Sequence, residues 1–86
     1  MKLKQEFVLR EVAGEHIVIP VAGLGDRFNG LLTLNETGVF IWKQLEQERD
    51  EPQIVDALLE EYEVSRETAE RDVAELCAQL RKLRIL

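Results

Sequence analysis

Few side chains in this sequence could do chemistry, and their numbers deny them most of it. His16 is the only histidine and Cys77 the only cysteine. Acid–base or nucleophilic catalysis needs paired groups within hydrogen-bond reach, and a zinc site needs several N or S ligands. One of each supplies neither. His16 falls in an apolar, β-branched run, where a lone histidine is most often a surface strand residue. Cys77 sits between Leu76 and Ala78, far from a helix start, where a cysteine is most often a small buried hydrophobe and not a low-pKa nucleophile. Glu60, Glu61 and Glu63 cluster, but a charge run at a helix end is usually a solvated face. Gly23-Leu24-Gly25 lacks the later Gly or Lys-Ser/Thr of a phosphate loop. The inventory predicts no catalytic residue, no metal site and no cofactor, and leaves a binding protein.

The composition narrows what could be bound. The chain has 86 residues, 45% of them apolar and 33% charged, with a net charge of −6. That length predicts one domain, residues 1–86, burying about 60–65% of its unfolded surface and leaving little room for a deep cavity. An acidic chain is repelled by phosphate backbones unless a basic patch overrides the global field. Arg81, Lys82 and Arg84 form the one basic concentration, and its simplest role is to sit favourably at a helix C-terminus. No apolar run approaches the ~20 residues that span a bilayer, so no membrane partner is expected. The first residues, Met1-Lys2-Leu3-Lys4-Gln5-Glu6, lack the apolar region of a signal peptide. With a single cysteine, this predicts a cytoplasmic protein.

These residues must be positioned by two kinds of element. Phe7-Val8-Leu9-Arg10-Glu11-Val12 and His16-Ile17-Val18-Ile19 read as strands joined by a tight Ala13-Gly14 turn, a hairpin. Residues 21–30 read as a longer loop with an Asn29-Gly30 turn. Leu31-Leu32-Thr33-Leu34 is a short third strand. Three helices follow. The first runs over 36–46. The second starts near Asp50, with Pro52 in its first turn and Gln53 placed as in a capping box. The third starts after Ser65 and runs to about Lys82. In it Ala69, Val73, Leu76, Leu80 and Leu83 form one apolar stripe, widened by Ala74, Cys77 and Ala78. The predicted fold is α+β: a three-stranded antiparallel meander followed by three helices, winged-helix-like with its sheet first.

The stretch Leu34-Asn35-Glu36-Thr37-Gly38-Val39-Phe40-Ile41-Trp42 joins the third strand to the first helix through a single polar cap. Asn35 can accept a backbone N–H of the first turn, and Glu36 places negative charge at the positive end of the helix dipole. Phe40, Ile41 and Trp42 load the helix with apolar area. With the strands before it and the helices after it, this stretch resembles the PqqD-like family, named for the pyrroloquinoline quinone synthesis protein D. The resemblance extends from Phe7 to Leu86.

The third strand carries no charge and no proline. As a sheet edge it is either open to an added peptide strand or covered by the third helix or a dimer partner. The family resemblance implies the first. PqqD-like domains bind the leader of a ribosomally made precursor peptide as an extra strand beside strand three, in a groove bordered by helix three. They present it to a modifying enzyme, often a radical S-adenosylmethionine protein. Carried onto this sequence, the peptide-binding residues are Leu31, Leu32, Thr33 and Leu34 on the strand and Val73, Ala74, Cys77 and Arg81 on the helix. Family members working in quinone biosynthesis usually have an Asp-Gly pair after helix one and a Gly near the C-terminus. Here Gln47-Glu48-Arg49-Asp50 and Leu83-Arg84-Ile85-Leu86 stand instead, which points to a different peptide-modifying system. The alternative is a DNA-binding winged helix, with helix three as the reader. Glu67, Glu70, Asp72 and Glu75 oppose its entry into a groove flanked by phosphates.

Overall fold

The computed structural model describes residues 2–3, 7–20 and 32–86. Strands β1 (Phe7–Val12) and β2 (Glu15–Pro20) form an antiparallel hairpin, with Val12 opposite Glu15. Only Ala13 and Gly14 separate them, at φ 51° and 82°. Positive φ at both central residues is what a two-residue turn requires if it is to follow the right-handed twist of the strands. Strand β3 (Leu32–Leu34) pairs antiparallel with β2, and the sheet order is β1-β2-β3. Leu31, the 21–30 loop with its Asn29-Gly30 turn, and Gly23-Leu24-Gly25 lie outside the described residues.

Alternation along the strands decides which face meets the helices. Val18 is fully buried, and its register partners Leu9 and Leu32 pack against the core. Leu34 lies on the same face opposite His16. His16 is therefore not on the outer surface of the sheet, as the sequence suggested. It is half-buried on the helix-facing side, near the start of β2. Ile17 and Thr33 pair on the other face.

The three helices begin at the caps read from the sequence. In α1 (Glu36–Glu46), Asn35 Oδ1 accepts from the Gly38 N–H at 2.8 Å. In α2 (Glu51–Glu61), Asp50 and Gln53 complete a reciprocal capping box at 3.1 and 3.0 Å. In α3 (Arg66–Lys82), Ser65 Oγ accepts from the Thr68 N–H at 3.1 Å. Gly38 is where α1 closes on β3: a Cβ there would stand 3.2 Å from the Leu34 Cβ and 3.2 Å from Asn35 Oδ1. Two helix ends take left-handed residues that are not glycine, Glu48 after α1 (φ 59°) and Arg84 after α3 (φ 61°). The second reverses the chain so that the Ile85 N–H bonds the Leu80 carbonyl at 2.8 Å and Ile85 is fully buried.

Ile41, Trp42 and Leu45 of α1, Ile54 and Leu58 of α2, and Val73 and Leu80 of α3 meet Val18 in one core. Trp42 is 1% exposed, and its Nε1–H donates to Glu46 Oε2 at 3.3 Å. Phe40 is half-buried and meets Tyr62 edge-on, centroids 5.6 Å apart. The apolar stripe of α3 is narrower than the sequence suggested. Ala69, Val73, Leu76, Cys77 and Leu80 are buried, whereas Ala74 and Ala78 are exposed.

Candidate functional site

Strand β3 is an edge of the described sheet, and its hydrogen-bonding direction follows from the hairpin. Residues flanking a two-residue turn form a hydrogen-bonded pair, and such pairs alternate with non-bonded ones along an antiparallel ladder. Val12 and Glu15 flank the turn. Glu15 therefore turns its N–H and C=O to β1, and His16 and Val18 turn theirs to β3. Their partners Leu34 and Leu32 are bonded inward. Thr33, opposite Ile17, aims its N–H and C=O away from β2, toward the outer edge of the described sheet. Its side chain is exposed.

Beside this edge lies an open cavity of about 400 Å³ between β3, the start of α1 and α3. Its apolar surfaces are Leu34, Gly38, Ile41 and Leu76, and its α3 wall adds Asp72, Glu75 and Gln79. No lysine or arginine lines it among the described residues. Asp72 has only a loose contact with its neighbour Arg71, at 3.9 Å, with the Arg71 side chain exposed and that of Asp72 partly so. On the other side of α1 a second cavity, about 620 Å³, is lined by His16, Val39, Phe40, Lys43 and Tyr62 among others.

The residues named from the sequence separate on this geometry. Leu32 is half-buried, Thr33 exposed and Leu34 buried on the edge strand, while Leu31 lies outside the described residues. Val73 and Cys77 are both fully buried in the core. Ala74 is exposed, and Arg81 turns to α2, where its Nη2 meets Glu51 Oε2 at 3.2 Å. At ~100° per residue, Ala74 and Arg81 lie on the far side of the helix from Asp72, Glu75 and Gln79. The residues that the resemblance names on α3 lie in the buried stripe and on its α2 side; the flank beside β3 is the other one. Its signal was present, as polar positions 72, 75 and 79 bordering Leu76 at helical spacing. Burial, reinforced by the nearby Glu51 carboxylate and partly offset by Arg81, pushes the Cys77 thiol up to about 11. A sealed thiol with a raised pKa is a poor nucleophile. The described residues hold no cluster of three metal-ligating side chains and no helix long and apolar enough to cross a membrane.

A sheet edge, a cavity beside it and a third helix as the wall are the parts that the resemblance implied. A family model for coenzyme PQQ synthesis protein D matches residues 6–86. The chain belongs to the PqqD family. Two solved structures share the fold of this PqqD-family protein. One is TbiB1 in complex with the TbiA(beta) leader peptide, 29% identical, covering all of this chain and 94% of that one, with a TM-score of 0.78. The other is lasso peptide synthetase B1 complexed with the leader peptide, 26% identical, covering 94% and 89% of the two chains, with a TM-score of 0.74. No curated protein sequence matches the chain.

Proposed function

We propose that this protein is a non-catalytic recognition module that takes the leader of a precursor peptide as an added strand on β3 and presents it to a modifying enzyme. A radical S-adenosylmethionine enzyme is the class to test first, and the cytoplasm is the expected compartment. The observation that carries the proposal is Thr33, whose backbone donor and acceptor are aimed at the outer edge of the described sheet, beside a part-apolar cavity. Main-chain bonds to that edge would supply affinity, and the cavity would choose side chains. Two PqqD-fold proteins solved with leader peptides support it. The cavity wall in this reading is Asp72, Glu75, Leu76 and Gln79, in place of Val73, Ala74, Cys77 and Arg81.

A pair of proline substitutions tests it. Leu32→Pro removes an N–H bonded to β2 and should unfold or strongly destabilise the protein. Thr33→Pro removes an N–H that no described strand uses, so circular dichroism should show a near-normal melt. Calorimetry with the leader of a precursor peptide encoded beside the gene should show binding by the wild type and none by Thr33→Pro. Retained binding by a folded Thr33→Pro would refute strand addition on β3.

A further inference from the structure

Resting on that reading, we infer that the leader this groove selects is cationic, with a lysine or arginine two residues from an apolar anchor. In a strand added to β3, the residue opposite Thr33 shares the outer face of the sheet. Its neighbours on either side point toward the helices, roughly 7 Å apart. One of these two meets Leu34, Gly38, Ile41 and Leu76, an apolar surface suited to an aliphatic or aromatic side chain. The other shares the cavity with Asp72 and Glu75, three residues apart on one helix face and thus about 5–6 Å between Cβ atoms. A lysine or arginine can lay its methylene stem along Leu76 and carry its charge to both carboxylates.

The charge balance sets the sign. The cavity lining has two carboxylates and no cation among the described residues. Arg81, the one cation among the residues named for the groove from the family resemblance, meets Glu51 on the opposite flank of α3. Arg71 contacts Asp72 only at 3.9 Å, with its own side chain exposed and that of Asp72 partly so, which neutralises little. The net charge of −6 adds a long-range field of the same sign. An acidic leader would meet repulsion here.

Selection from a displayed library of random peptides about ten residues long tests this whatever the sequence of the native leader. The wild type should enrich Lys or Arg at the second residue from an apolar anchor. The Asp72→Asn/Glu75→Gln double variant, checked for a normal melt, should enrich the same apolar anchor without the cation. Replacing the selected Lys by Glu should weaken binding about tenfold at low salt, and less as salt screens the pair. Enrichment with no cation preference, or with acidic residues, combined with loss of binding in Thr33→Pro, would overturn the cationic inference and leave strand addition standing. Selected peptides that still bind folded Thr33→Pro, or no enrichment at all, would overturn both.

Discussion

The two flanks of α3 are cut from one helix and end in opposite conditions. Toward α2, Arg66 reaches Asp56 at 3.0 Å and Arg81 reaches Glu51 at 3.2 Å, so charge is matched between helices at both ends. Cys77 is sealed in the core near the second pair. Toward β3, Asp72, Glu75 and Gln79 border an open cavity, and neither carboxylate has an ion pair to another element among the described residues. One flank is finished by its own chain, and the other offers charge and backbone groups to something else. Exposure does not distinguish them, since Arg81 and Glu75 are both exposed. What distinguishes them is whether the opposing element supplies a partner.

The largest effect is expected beneath both flanks. Trp42 is 1% exposed at the centre of the core, and Trp42→Ala should cost about 3–5 kcal/mol. Denaturant unfolding measures it, and peptide affinity should fall only with the folded fraction. A midpoint that does not move would mean the ring contributes no core packing.

On the closed flank, the Cys77 thiol keeps its proton in the folded state until about pH 11, against 9.0 as the ordinary value. The folded protein then binds more protons than the unfolded chain between those values. This contribution is complete below pH 9 and is lost as pH rises toward about 11, at most about 3 kcal/mol. The observable is a difference: wild type should lose more stability than Cys77→Ala on going to high pH. Parallel losses would show that the thiol can ionise where it lies.

On the open flank, Gly38→Ala gains ~1 kcal/mol of helix propensity but sets a Cβ 3.2 Å from the Leu34 Cβ. Crowding of this kind costs typically ~1–3 kcal/mol. A net loss of about 1 kcal/mol is expected in thermal melts. The displacement of Leu34, which lines the cavity, should weaken peptide binding by more than that. Affinity unchanged would remove Leu34 from the recognition surface.

The smallest effect should come from Arg81→Glu. It turns an exposed ion pair into a like-charge contact with Glu51, worth within ~1 kcal/mol of stability. Peptide affinity should be unchanged in titration calorimetry. A marked loss would move the groove to the α2 flank and dissolve the comparison.

The contrast between flanks also marks where sequence reasoning stopped. The helices were legible because each start has its own chemistry: Asn35, then Asp50 with Pro52 and Gln53, then Ser65. The order of strands and helices, and β3 as an edge, were legible for similar reasons. Helical periodicity identified the buried stripe of α3 but carries no information about which neighbour stands on either side of it. Val73 and Cys77, named for the groove from the family resemblance, lie in that stripe, while Asp72, Glu75 and Gln79 border the cavity beside β3. A two-residue period likewise has two phases, and Ile17 and Ile19 hid the fact that Val18 faces the core with His16 beside it. Ala13, Glu48 and Arg84 hold positive φ that their side chains do not advertise.

The sealed position of Cys77 makes the protein its own reporter. A thiol reagent can reach that sulfur only when α3 lifts from the core, so the rate of modification counts openings of the molecule. A peptide strand laid between β3 and α3 binds the closed form alone and must make those openings rarer in proportion to its occupancy. The labelling rate of one buried atom on the closed flank would then read, without any attached dye, how often the open flank is filled.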